Sequence, residues 1–296
     1  MHGFMNKFFS HNNLPQLNWF GKIFSFLIIN GYWGVIKNPT FYQGPLKGIT
    51  LPVLNCYSCP LAYTSCPIGL MQHFLEIRLV PYYLIGMIST IGVVFGQATC
   101  GWVCPFGLLQ DILYKIPGRK VRIPHKLYYM KYLFLLVTIV LSIWMVSPVF
   151  CKYFCPAGTL EAGLPHIIWA PEFRPLLTWI FGLKFVLMII FLLLFVFTKR
   201  PFCTTSCPMG AILGGFNKVS FLQMHVSAYK CTKCDICRTV CPMDISIWKN
   251  PKDLDCIRCG RCVVGCPANA IEMTFRGVKI AKLNVNPTLR KSDTQG

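Results

Sequence analysis

The chain has 296 residues, 54% hydrophobic and only 13% charged, against the roughly 25% charged residues typical of soluble domains. Its 17 cysteines do not make it a secreted disulfide scaffold, because such chains are short and poor in long apolar runs. Its formal net charge of +19 does not mark a nucleic-acid binder, because the basic residues cluster beside apolar stretches, where the positive-inside rule accounts for them.

The opening segment, residues 1–17, holds one lysine, Lys7, and no small-residue cleavage site follows the first apolar run. That run is read as a retained helix rather than a signal peptide. Four stretches approach the ~20 residues that a membrane-spanning helix needs: Asn18–Ile36, Pro81–Ala98, Tyr128–Phe150 and Leu176–Thr198. The first contains Lys22 and three glycines and the second is short, so a re-entrant or interfacial segment is the alternative for both. Trp19, Tyr32, Trp33, Tyr128 and Tyr129 suit interfacial aromatic belts.

Loop charges orient these spans. The second loop carries Lys115, Arg119, Lys120, Arg122 and Lys126 against Asp111, and the region after the fourth span opens with Lys199 and Arg200. The third loop balances Lys152 and Arg174 against Glu161 and Glu172. The bias predicts a multi-pass protein with both termini cytoplasmic and the first and third loops outside. Asp111 and Lys115, at i,i+4 spacing, read as a helix-surface pair.

Cys-Pro-x-Gly recurs at Cys66-Pro67-Ile68-Gly69, Cys104-Pro105-Phe106-Gly107, Cys155-Pro156-Ala157-Gly158 and Cys207-Pro208-Met209-Gly210. Three of these have another cysteine four residues earlier: Cys100, Cys151 and Cys203. The first has Cys56 and Cys59 instead. A proline suits the first turn of a helix, so each Cys-Pro cysteine is expected at a helix N-terminus, where the dipole lowers the thiol pKa and favours an anionic cluster. Topology then gathers Cys100, Cys104, Cys203 and Cys207 at the inner face, the four thiols that one 4Fe–4S cluster needs. Five thiols fall at the outer face: Cys56, Cys59, Cys66, Cys151 and Cys155. The favoured ligands there are Cys59, Cys66, Cys151 and Cys155, with Cys56 against Cys59 left open and disulfides as the alternative. If the Cys-Pro-x-Gly helices do not dip toward the midplane, the two sites lie a hydrocarbon thickness apart, ~30 Å.

Cys231, Cys234, Cys237 and Cys241 follow C-x2-C-x2-C-x3-C-P, and Cys256, Cys259, Cys262 and Cys266 repeat it. Zinc ribbons use paired C-x2-C and do not produce this triple spacing twice. The pattern resembles bacterial two-cluster ferredoxins, in which the fourth cysteine of each run serves the other cluster. That resemblance implies one cluster on Cys231, Cys234, Cys237 and Cys266 and the other on Cys256, Cys259, Cys262 and Cys241.

The expected fold class is an α-helical membrane protein with four transmembrane helices and a C-terminal α+β ferredoxin domain. Residues 1–17 form a cytoplasmic segment, 18–224 the membrane domain, 225–283 the double ferredoxin and 284–296 a disordered tail. Four helices, C-x3-C-P motifs including Gly101-Trp102-Val103-Cys104-Pro105, and a double ferredoxin resemble the NapH-type membrane polyferredoxins. The resemblance implies a subunit of a quinol dehydrogenase in a bacterial or archaeal cytoplasmic membrane, carrying four 4Fe–4S clusters between quinone or an extracytoplasmic redox subunit and a cytoplasmic one. Lys184, Glu161 and His166 are candidates for the quinone or the outer cluster. Snorkelling is the alternative for Lys184. His73 and Glu76 are further proton-relay candidates. The rival functions are a factor that reduces a metal or thiol while another enzyme matures, and a cluster-based sensor.

Overall fold

The computed structural model describes residues 14–32, 34, 42–169 and 178–281. The opening segment as far as residue 13, Trp33 and the end of the first span, Glu172 and Arg174, and the tail from 284 lie outside the described residues.

Helices α1 (Leu14–Ile29), α2 (Pro67–Glu76), α3 (Tyr82–Phe95), α4 (Pro105–Leu113), α5 (Met130–Met145), α6 (Trp179–Phe197) and α7 (Pro208–Phe216) make up the helical domain. Two of the four expected spans give helices long and apolar enough to cross a membrane: His125–Met145, which is α5 with its preceding turn, and α6. Only 22% and 17% of their apolar windows are buried in the chain, so they are not core helices of a soluble protein. Leu133, Leu136, Val140, Trp144, Val186, Ile190 and Leu193 all face outward, as lipid-facing side chains would. By comparison α1 has 16 residues and α3 has 14, short of the ~20 required for a straight crossing.

Beneath these helices lies an antiparallel sheet in the order β1-β2-β3: Leu222–Val226, Ile271–Phe275 and Val278–Ala281. Leu222 faces Phe275 and Val226 faces Ile271. The strand β1 begins at Leu222, ahead of the boundary drawn at 225. The two cysteine runs repeat one backbone. Lys233 and Arg258, Asp235 and Gly260, and Asp244 and Asn269 are matching positions, and all have φ between 49° and 77°. Left-handed residues costing about 1–2 kcal/mol each for non-glycines turn successive amides toward a common centre, as an anion-binding nest requires.

The ferredoxin part is packed against the helices. A Cβ at Gly101 would lie 2.4 Å from the Ile257 carbonyl oxygen, and one at Gly214 2.5 Å from that of Leu254, so only glycine allows this approach. Asn217 Nδ2 donates to the carbonyls of Asp253 and Cys256, Tyr128 Oη to that of Met243, and Trp102 Nε1 to that of Arg258. Lys131 pairs with Asp255.

Asp111 corrects the surface-pair expectation. It is buried, and its carboxylate is bonded to Lys22 Nζ at 2.8 Å, Arg200 Nε at 2.7 Å and Arg261 Nη2 at 3.2 Å. Lys115 instead sits 4.0 Å over the Trp19 ring. One carboxylate thus ties α1, α4, the start of the segment after α6 and the ferredoxin domain together. Burial alone would raise its pKa, but Arg200, Lys22 and Arg261 hold it well below the usual carboxylate range.

Candidate iron–sulfur sites

Each Cys-Pro-x-Gly motif builds the same local device. Cys66, Cys104, Cys155 and Cys207 are N-caps in extended backbone, and proline occupies the first turn. The motif's glycine falls at the third helical position, where a capped helix has a free amide. Gly158 N donates to Cys155 Sγ at 3.3 Å and Gly210 N to Cys207 Sγ at 3.4 Å. These glycines lie against thiols: a Cβ at Gly158 would be in ordinary contact with Cys56 Sγ at 3.6 Å and one at Gly69 with Cys151 Sγ at 3.8 Å, while at Gly69 it would meet the Tyr57 ring at 2.9 Å. The expectation that the helix ends lower these thiol pKa values needs correction. Burial pushes Cys66 and Cys104 up despite the amides at Gly69 and Gly107. A metal-free thiol here is neutral, and binding metal expels its proton.

Three cavities gather the thiols. Cys100, Cys104, Cys203 and Cys207 line an inner one of about 10 Å³. Cys241, Cys256, Cys259 and Cys262 line a ferredoxin cavity of about 20 Å³, with Cys237 at its edge. Cys56, Cys66, Cys151 and Cys155 line the outer cavity of about 380 Å³. Of the remaining ferredoxin thiols, Cys266 Sγ accepts from Ala270 N at 3.4 Å and Cys234 is exposed, as part of the run that begins at Cys231. All 17 cysteines are unpaired thiols.

Cys59, the residue favoured from sequence, is buried but does not line the outer cavity; Cys56 does. The cause is a turn, with Cys59 N donating to the Cys56 carbonyl at 3.1 Å, that carries Cys59 away toward Lys47. Glu161 fixes Cys56, accepting its backbone N–H at 2.7 Å. Burial pushes the Glu161 carboxyl up to about 7. His166 Nε2 bonds the Ser58 carbonyl at 3.0 Å, and Lys184 Nζ donates to the Cys151 carbonyl at 3.0 Å; both line the outer cavity. The Lys184 side chain thus turns into the wall of the outer cavity. His73 is exposed and lies 3.7 Å from Glu76.

Two residues that bond cysteine thiols are absent from the sequence-based expectations. Gln72 and Gln110 each stand six residues after a Cys-Pro cysteine and are buried. Gln72 Nε2 donates to Cys151 Sγ at 3.2 Å, and Gln110 Nε2 to Cys203 Sγ at 3.1 Å. The signal was there: the repeat extends to Cys-Pro-x-Gly-x-x-Gln at both positions.

The donor sets fit clusters rather than single ions. Among the described residues, no three His, Cys, Asp or Glu side chains converge closely enough for one metal ion, whereas the outer and inner cavities are each ringed by four thiols, the number a 4Fe–4S cube takes, and the ferredoxin cavity by Cys237 as well as its own four. Phe150 lines the outer cavity and Phe106 and Phe202 the inner. Phe150–Phe154 and Phe154–Phe202 ring contacts, with centroids 5.9 and 6.5 Å apart, connect them.

Comparison with known proteins agrees with this chemistry. A family model described as a 4Fe–4S binding domain matches residues 78–124, 130–165 and 178–227, and another of the same description matches 253–272. The chain is thus an iron–sulfur electron-transfer protein built from 4Fe–4S binding domains. It is a polyferredoxin of the NapH type. It is 25% identical over 295 residues to the ferredoxin-type protein NapH of Haemophilus influenzae, covering 92% of this chain and 91% of that one. The methylamine utilization ferredoxin-type protein MauN of Methylorubrum extorquens is 29% identical over 202 residues, 64% of this chain and 65% of its own. A Methanocaldococcus jannaschii protein is 27% identical over 226 residues, 72% of this chain and 88% of its own. No solved structure matches.

Proposed function

We propose that the chain is a membrane wire. Four 4Fe–4S clusters carry electrons between an extracytoplasmic donor or acceptor, or quinone, and a cytoplasmic redox partner. The inner cluster is held by Cys100, Cys104, Cys203 and Cys207, and the outer by Cys56, Cys66, Cys151 and Cys155, with Cys59 spare. The ferredoxin pair is crossed, Cys231, Cys234, Cys237 and Cys266 against Cys256, Cys259, Cys262 and Cys241. When bound, each cluster supplies a one-electron carrier whose potential is set by its hydrogen bonds and exposure.

One observation carries this reading: neighbouring cavities share a wall residue. Leu54 lines the outer and inner cavities, and Ile257 the inner and ferredoxin cavities. Cys237, a ligand of the first ferredoxin cluster, lies at the edge of the second one's cavity. Such contiguity supports sites set closer than the hydrocarbon thickness of ~30 Å.

The outer cavity has room that the other two lack, and with Lys184 and His166 in its wall it suits a quinone headgroup or a partner's cofactor. Both termini and the ferredoxin domain are assigned to the cytoplasm. The complex is respiratory, in a bacterial or archaeal cytoplasmic membrane. Iron and sulfide analysis of anaerobically purified protein should give about sixteen iron atoms per chain. A value near eight would leave a membrane-anchored ferredoxin and end the wire.

A further inference from the structure

The first loop runs between the two membrane-domain sites. Val53, Leu54 and Asn55 are 1–3% exposed, although they belong to a loop expected at the outer surface. Leu54 lines both cavities and Asn55 the outer one. Consecutive amides favour thiolates at different sites: the Leu54 N–H that of Cys104 at the inner site and the Asn55 N–H that of Cys66 at the outer site. The Asn55 side chain adds a further sign. Its Oδ1 accepts from Asn30 Nδ2 at 3.1 Å. Its Nδ2 is buried with no hydrogen-bond partner among the described residues. An orphaned buried donor is costly, so one held in a thiol-lined wall calls for an acceptor such as cluster or thiolate sulfur.

We propose that the Leu54–Asn55 peptide is a shared bridge that positions the outer and inner sites as a directly coupled pair. Through it one electron leaves the reduced cluster on one side and enters the oxidised cluster on the other, with no cofactor between them. This rests on the cluster reading above. Leu54 and Asn55 are positioning residues: the two consecutive peptide units that meet at Leu54 serve the two anionic sites, one N–H each. Asn55 Nδ2 favours the reduced, more negative state of the outer cluster alone, since hydrogen bonds to sulfur raise the potential.

The test is EPR on the full-length, fully reduced protein, comparing wild type with Cys66→Ser and Asn55→Leu, each with its iron content measured. In wild type the inner cluster's signal should relax fast, because a second spin lies one peptide away. In Cys66→Ser that signal should saturate at a several-fold lower microwave power. In Asn55→Leu the iron content should stay, the outer midpoint potential should fall and the inner one should hold. An inner signal that saturates identically with and without the outer cluster overturns the bridge while leaving four-cluster binding intact. Absence of iron from both membrane sites overturns the cluster reading itself.

Discussion

The outer and inner sites are built on one plan and differ in closure. Each uses Cys-Pro N-caps, a glutamine six residues on that donates to a partner thiol, and a basic side chain on the carbonyl of a C-x3-C cysteine: Lys184 on Cys151, Arg200 on Cys100. Yet the outer cavity measures about 380 Å³ and the inner about 10 Å³. At the position six after the later motif, the outer site has Glu161 and the inner has Leu213. Duplicated local geometry therefore supports two roles. In the wire proposed above, the sealed site is the relay, and the open site, with a titratable group, is where electrons are exchanged with something that comes and goes.

The largest effect should come from the ligand assignment at the open site. Cys56→Ser should remove about four iron atoms per chain, as Cys104→Ser should at the closed one. Cys59→Ser should leave iron unchanged. Equal iron loss from Cys56→Ser and Cys59→Ser would show that the outer site is not built like the inner.

Next in size is the ion cluster beside the sealed site. Asp111→Ala strands Lys22 and Arg200 in the interior, and removing one partner of a buried pair costs about 3–5 kcal/mol. Denaturation in detergent should show that loss, whereas Glu76→Ala near the outer site should cost under about 1 kcal/mol. The pH dependence follows. The folded Asp111 value lies below the unfolded value of about 3.9, so its contribution is full at neutral pH. It declines as pH falls through about 4 and below. Asp111→Asn should flatten the acid limb of stability against pH; an unchanged limb would show that other carboxylates govern it.

The glutamines sharpen the comparison further. Gln110→Leu should lower the inner midpoint potential, and Gln72→Leu the outer, by an amount on the order of tens of millivolts, since each removes a donor to a ligand sulfur. Iron content should be kept. A shift at the wrong site would break the pairing of Gln110 with Cys203. The smallest effect is expected from Lys184→Met, which removes one hydrogen bond worth about 0.5–1.5 kcal/mol. It should slow reduction from the outer side without altering the inner signal, and stopped-flow reduction by an exogenous quinol would read it.

The sequence by itself determined whatever depends on a few residues of spacing. It placed cysteine and proline at a helix start because proline's fixed φ suits that position, and it marked two ferredoxin runs by C-x2-C-x2-C-x3-C. It located the two long apolar helices, because length and hydropathy are local sums. What it could not decide was which side chains meet across the chain. Asp111 finds Lys22 and Arg200, each 89 residues away, rather than its helical neighbour Lys115, because all three are folded away from water, where an unpaired carboxylate is costly. Cys56 rather than Cys59 reaches the outer cavity because Glu161, 105 residues on, holds its amide. The loop between the first two helices carries Leu54 into the interior rather than over the surface, since both thiol cavities need a wall there. Spacing encodes the local turn that aims a thiol, and only packing over long separations brings four thiols to one centre and sets one centre against the next.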